Sequence, residues 1–449
     1  MFGFFQSEEK KMRQHAANWL EVADRVWHFR RDQLTATQSQ TLQSAIGDLK
    51  QRLKEKADAS RLKLDAEALE RVLRDVGGRV YPTSSLTENV EFLLVAAIVI
   101  LGIRAYFVQP FKIPTNSMWP SYYGMTHELF KTGDEPGVLR KAARLATLGA
   151  SHYSVAAPAD GEVLVPVFRN LRVAYAEVPG RSFYVFPSTK REYTFAVGGE
   201  RVSLTVPVDF DFERVLEDAF KGSAASLQTA LNAAAAKHRP ETSTMIVRSA
   251  GRLVEERVYW IPLGKTVKRG EQIVSFDILT GDLLFVDRFS YNFLPPKVGA
   301  GFVFKTDNIH SSEMVDSGGN QIQQYYIKRL VGLPGDRIEI RQPAKMIADG
   351  GPPPGTGGGM LFRNGKPIEG SDAFGANARK DGLYPGYTNE GLLGVGKIMA
   401  VPERSYVALG DNSPRSKDSR FWGYVPEKDV VGRPLFIYYP LTKRWGPAR

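Results

Sequence analysis

Hydrophobic patterning divides the chain into three regimes. Across residues 1–88 apolar side chains recur at roughly helical spacing in a polar background. Trp19, Leu20, Val22, Val26, Trp27 and Phe29 form one series, and Leu49, Leu53, Leu62, Leu64, Leu69 and Val72 another. The pattern predicts a helical hairpin or short coiled coil; an interfacial role for the Trp-bearing helix is the other reading. From Phe92 to Ile103 the chain is then continuously apolar, and the run reaches Val108 if Arg104 snorkels. Such a run just meets the lower bound of roughly 17 residues for a membrane span. Residues 89–108 are therefore expected to form a transmembrane helix, with a buried core helix as the alternative. A secretory signal peptide is disfavoured, because about ninety residues precede the run and no cleavable small-x-small stretch follows.

Beyond residue 108 the period changes to two. Tyr193 to Val197, Gly198-Gly199 and Arg201 to Val206 read as a hairpin with alternating faces. Leu361 to Ile368 reads as another, with Asn364-Gly365 supplying the two turn residues. Helical stretches are expected near 211–221 and 224–237. The Gly- and Pro-rich run 350–359 cannot pack a core and reads as a loop or linker.

Composition adds direction to this outline. Hydrophobic residues at 43% and charged residues at 24% are ordinary for folded protein. The net charge of +10 suits an anionic partner. With no zinc-finger spacing, RNA-binding signature or dense basic run, membrane lipid is favoured over nucleic acid; a merely solvated basic surface is the bland reading. Arg71, Arg74 and Arg79 precede the apolar run, whereas Lys112 alone among Lys and Arg follows within twenty residues. That bias places the N-terminus in the cytoplasm and the C-terminal mass outside a cytoplasmic (inner) membrane crossed once. The absence of cysteine excludes disulfides, thiolate nucleophiles and cysteine-bound metal. None of the six histidines stands at metal-ligand spacing, so no metal is expected. Gly391 to Lys397 approaches a phosphate-binding loop, but Ile398 stands where Ser or Thr is required.

Three segments carry candidate chemistry. Pro114-Thr115-Asn116-Ser117-Met118-Trp119-Pro120 sets a serine among apolar residues and prolines just past the apolar run. Tyr326-Ile327-Lys328-Arg329-Leu330-Val331 places a lysine inside a mostly apolar strand. Burial disfavours its charged form, and a neutral amine can act as a general base toward a hydroxyl. Gly410-Asp411-Asn412 and Ser416 to Gly423 form a polar loop able to orient a catalytic group. Each alone has a plain structural reading.

Together they resemble the bacterial type I signal (leader) peptidases. The strongest likenesses are Tyr326 to Asp336 and Gly410-Asp411-Asn412 with Ser416 to Gly423; Gly281 to Tyr291 is a weaker one. The resemblance covers the span, residues 109–125 and most of 281–445, and implies a mainly β, signal-peptidase-like catalytic domain with an N-terminal transmembrane helix; the helical N-terminal region and the large, mostly β insertion are read from the patterning alone. It implies a Ser–Lys dyad that needs no cofactor, with Ser117 as nucleophile and Lys328 as general base. Thr115 would join the Ser117 N–H in the oxyanion hole, and Ser416 would hydrogen-bond and orient the lysine. Asp411, Asp418 and Arg420 would hold the loop, and Arg329 would be structural. The substrates implied are exported preproteins carrying signal peptides, cut after a small-x-small stretch.

The chain departs from the family pattern at Thr115 and Asn116, where serine and glycine are common. It departs again at Ser413-Pro414-Arg415, which puts the loop's internal salt bridges in doubt. The expected layout is a helical cytoplasmic region over 1–88, the span over 89–108, core segments over 109–130 and 281–449, and the insertion over 131–280. Within the insertion, Ala157 to Val163 and Leu263 to Ile273 are similar to the half-motifs of lipoyl-like barrel-sandwich domains, and equally to plain strand–turn sequence; its partners are unknown. The rival function is a membrane-tethered binding or adaptor protein built on an inactive peptidase core.

Overall fold

The computed structural model describes residues 8–448 except 83–84, 132, 183–185, 223, 225, 238–239, 250–251, 316–318 and 343–357. Residues 350–357 of the expected linker thus lie outside the described residues. Two compact units result, Met1–Gly102 and Ile103–Arg449.

In the first unit, helices α1 (Glu8–Arg30), α2 (Ala36–Lys54) and α3 (Ala59–Val76) pack around one core, so the expected hairpin is a three-helix arrangement. The breaks have local causes. Thr35 and Gln38 form a reciprocal capping box that starts α2, and Asp58 caps α3. Leu62, Ala66, Leu69, Leu73 and Val76 make the buried arc of α3. Leu64 lies two positions from Leu62, about 200° around the helix, and is exposed; Phe29 is exposed as well. Helix α4 (Ser85–Tyr106) is apolar all round, with mean hydropathy 2.0 and nothing buried in its 18-residue window. It is long and apolar enough to cross a membrane. Val108, at the end of the expected span, belongs to a strand instead.

The second unit is built on antiparallel sheets. Its largest sheet has the order β1 (Val108–Lys112), β11 (Leu283–Asp287), β20 (Val430–Tyr439), β12 (Gly301–Lys305), β13 (Tyr325–Gly332), β18 (Ser405–Leu409) and β19 (Val425–Pro426), with β21 (Gly446–Pro447) beside β20. A four-stranded sheet follows the order β16 (Lys366–Pro367), β15 (Met360–Arg363), β14 (Arg337–Arg341) and β17 (Ile398–Ala400). In the hairpin β15–β16, Arg363 pairs with Lys366, and Asn364 and Gly365 both take positive φ as their turn requires.

Residues between β1 and β11 form their own strand-rich body. One sheet has the order β2 (Thr126–Leu129), β10 (Gln272–Leu279), β3 (Ser151–Ala156). The other runs β5 (Ala176–Ser182), β6 (Phe186–Val197), β4 (Gly161–Val167), β9 (Arg252–Val267), β8 (Glu241–Ser249), with β7 (Glu200–Pro207) on β6. Alternation places Tyr193, Phe195 and Val197 of β6 and Leu204 and Val206 of β7 in one core, and Gly198-Gly199 make the turn. The two expected helical stretches are α6 (Phe212–Phe220) and α7 (Leu227–Lys237). A further helix, α5 (Val138–Leu148), lies between β2 and β3. The half-motifs at 157–163 and 263–273 meet: Gly161 is the register partner of Val267, and the Ala157 N–H donates to the Glu271 carbonyl at 2.8 Å.

Candidate active site

Two pieces of chain far apart in sequence create the site. After β1 the backbone leaves the sheet edge, and Asn116–Met118 form a single 3₁₀ turn with Ser117 and Met118 buried. The Asn116 side chain fastens this turn. Its Nδ2 donates to the Met125 carbonyl at 2.7 Å, and its Oδ1 accepts from the Gly124 N–H at 2.9 Å. Gly124 has to lack a side chain, since a Cβ there would stand 2.2 Å from the Thr115 carbonyl carbon. Asn116, a departure from the family pattern, is therefore a clamp that a glycine could not supply.

The second piece is β13, an interior strand, which carries Lys328 in a register opposite Phe302. Lys328 is 4% exposed, and its Nζ lies 2.6 Å from the Ser117 Oγ. Burial pulls the Lys328 pKa down from its ordinary value to about 8; the charges of Asp418 and Asp411 oppose this, and that of Arg420 adds to it. A largely desolvated amine, neutral for a useful fraction of the time near neutral pH, thus touches a hydroxyl. Such a pair can move the hydroxyl proton to nitrogen and leave an oxygen nucleophile.

The polar loop after β18 holds both pieces. The Asn412 N–H donates to the Ser117 carbonyl at 3.1 Å, and the Asn412 Nδ2 donates to the Asn116 carbonyl at 2.9 Å. Arg329, beside the lysine, forks onto Asp411: its Nε donates to Oδ1 at 2.8 Å and its Nη2 to Oδ2 at 2.6 Å. Arg420 binds Asp418 in the same way, at 2.8 and 2.9 Å, and also donates to the Ser413 and Ser416 carbonyls. All four charged groups are buried. The salt bridges that Ser413-Pro414-Arg415 put in doubt are in place, because they run through Arg420 and Arg329 and not through the altered positions.

One expected contact is different. Ser416 makes no hydrogen bond to Lys328; its Oγ is buried without a hydrogen-bond partner among the described residues. The amine is turned to Ser117, and the Ser416 hydroxyl rests against Gly410, where a Cβ would come within 2.1 Å of it. Gly410 thereby lets the loop approach the Ser117 carbonyl as well.

Thr115 is exposed and extended, and its side chain does not cap the 3₁₀ turn. It lines a cleft of about 250 Å³ that also touches Ser117, Lys328, Ile113, Leu284 and Val303. Asp209, from the body between β1 and β11, lies on the cleft rim with Lys112 and Arg415. Ser121, whose Oγ donates to Asp411 at 2.5 Å, was likewise not foreseen. No sequence signal marks Asp209 or Ser121, since only the fold brings them to the loop. Asn116 was visible as an unusual residue.

The family model for signal peptidase, peptidase S26, matches residues 265–439. The chain is 30% identical over 166 residues to a probable signal peptidase I-1 of Synechocystis sp., covering 37% of this chain and 66% of that protein. It is 30% identical over 147 residues to a signal peptidase I of Bacillus licheniformis, covering 32% of this chain and 68% of the relative. A crystal structure of a signal peptidase I from Enterococcus faecalis V583 aligns at 26% identity and a TM-score of 0.21, over 31% of this chain and 97% of that one. The chain belongs to the signal peptidase I family.

Proposed function

We propose that the protein is a membrane-anchored serine endopeptidase that removes signal peptides from exported preproteins, with Ser117 as nucleophile and Lys328 as general base. The contact of 2.6 Å between a buried lysine and a buried serine carries the reading. The neutral Lys328 amine takes the Ser117 hydroxyl proton as Oγ attacks the scissile carbonyl carbon. The resulting ammonium returns a proton to the leaving amine nitrogen, which gives an acyl-enzyme and a free new N-terminus. Lys328, neutral again, deprotonates water, whose attack on the ester releases the signal peptide and restores Ser117. Helix α4 is the proposed anchor, with the N-terminal helices cytoplasmic and the β unit extracytoplasmic, as the arginines before the run favour. Asp411, Asp418, Arg420 and Arg329 serve to hold the loop. The adaptor reading is disfavoured by the same contact, since nothing in an inactive core would require a lysine to be buried against a serine.

The test is incubation of detergent-solubilised full chain with a preprotein, followed by mass determination of the products. A cut after a small-x-small stretch is expected; an intact preprotein would remove the proposal.

Thr115 has a more specific expectation. Its hydroxyl, two residues before Ser117, is proposed to complete the oxyanion hole with the Ser117 N–H. Loss of one such donor lowers kcat on the order of 10²–10³. Thr115→Ala should show that loss with KM little changed, and Thr115→Ser should keep most of the rate. Unchanged kcat in the alanine variant would take Thr115 out of the mechanism.

A further inference from the structure

Helix α5 is inside out. An amphipathic helix on a globular protein normally turns its apolar arc inward and its charges to water. Here Val138, Leu139, Ala142, Leu145 and Ala146 share one arc, and that arc faces outward. Val138 is 84% exposed, Leu139 87% and Leu145 57%. The inward side is cationic: the Arg144 Nε donates to Asp277 at 2.7 Å and its Nη2 to Glu128 at 2.6 Å. The helix is thus docked with Arg144 held by two carboxylates on its inward side, where Leu148 is half-buried beside it.

A neighbouring turn is hydrogen-bonded to the C-terminal end of the helix. The Leu441 N–H donates to the Thr147 carbonyl at 2.9 Å, and the Tyr439 hydroxyl donates to the Leu145 carbonyl at 2.7 Å. This turn exposes Leu441 and Trp445 beside Lys443. Around the helix, Arg140 and Lys141 flank the apolar arc on its two sides.

We propose that α5 and the 441–445 turn form a membrane-docking surface, whose occupant is the headgroup and upper acyl region of an anionic bilayer. An outward apolar arc, cations along its flanks and a tryptophan at its edge are the chemistry of a helix lying in a membrane interface. The chain's net charge of +10 complements anionic lipid, and α4 in the same polypeptide is long and apolar enough to cross a membrane. Cations on both flanks of an apolar strip match lipid phosphates next to acyl chains. The assignment goes beyond the peptidase reading and does not depend on Ser117 or Lys328.

The natural absence of cysteine allows a direct test. Full-length Leu139→Cys and Leu145→Cys, each labelled with an environment-sensitive fluorophore, are reconstituted into phosphatidylcholine–phosphatidylglycerol vesicles. Glu200→Cys, at an exposed turn of the other sheet, is the reference. Quenching by headgroup-proximal lipid spin labels at 139 and 145 but not at 200, with loss of iodide access, is the expected result. Equal iodide access at 139, 145 and 200 would overturn the proposal. So would energy transfer between labelled copies that explains the protection without lipid quenching. Cleavage plays no part in the readout, so failure here leaves the peptidase reading standing, and the reverse also holds.

Discussion

Replacing Lys328 with arginine is expected to abolish cleavage although positive charge and side-chain length are nearly kept. A guanidinium stays protonated at any pH the protein tolerates, so it cannot accept the Ser117 proton. Nucleophile and base act as one unit. Lys328→Arg, Lys328→Ala and Ser117→Ala should therefore each lower kcat by a similar factor, on the order of 10⁶, and combining them should add little. The wild-type pH profile gives a second readout. Only the neutral amine is active, and the Lys328 pKa is held near 8. Going down in pH through that value protonates the base, so kcat/KM should fall along an acid limb centred near pH 8, about tenfold per pH unit below it. Substituting any of the six histidines should leave that limb in place. Near-normal turnover by a folded Lys328→Arg would mean that another group is the base.

The lowered pKa also states what the site costs. Holding the amine at about 8, where its ordinary value is 10.5, corresponds to roughly 3 kcal/mol against the folded state where the lysine is protonated. The sign follows from proton counting. Between the folded value near 8 and the higher unfolded value, the unfolded chain binds more protons, so this group's penalty shrinks as pH rises. Below pH 8 both states are protonated and the full penalty applies. A desolvated titratable amine is the usual trade of stability for function at such a centre.

How much of this was legible beforehand depended on the kind of signal. The hairpins at Gly198-Gly199 and Asn364-Gly365 were readable because their turns demand positive φ at two successive residues and the flanking alternation fixes which face is buried. Helices α6 and α7 were readable from local periodicity. The three-helix arrangement is not legible in apolar spacing, which runs across the breaks; the caps at Thr35–Gln38 and Asp58 set them. The segments holding Ser117 and Lys328 were found by their resemblance to a family, and no residue pattern could have given their separation. Ser416 shows the limit: the resemblance implied a hydrogen bond to the lysine, but the amine faces Ser117 and the Ser416 hydroxyl rests against Gly410. The outward arc of α5 was equally hidden, since its amphipathic pattern says that one side is apolar but not which way it turns.

Arg329→Ala is expected to be the most destabilising single change around the site. Asp411 is completely buried and Arg329 is 2% exposed, and together they tie β13 to the loop that grips Ser117. Truncating the arginine leaves a carboxylate with its charge unmatched and also orphans the Gly299 carbonyl, to which the Arg329 Nη1 donates at 2.7 Å. Removing one partner of such a pair typically costs about 3–5 kcal/mol, because the remaining charge stays desolvated. Urea unfolding followed by tryptophan fluorescence would register this as a lower midpoint with similar slope. Replacing both partners, as Arg329→Met with Asp411→Leu, should recover most of the stability, since no charge is then left buried. It should not recover activity: the loop would lose the Ser121-to-Asp411 hydrogen bond, and with it one fixed point near the turn that carries Ser117. A double variant no more stable than Arg329→Ala would show that the cost lies in lost packing around the guanidinium and not in an unpaired carboxylate.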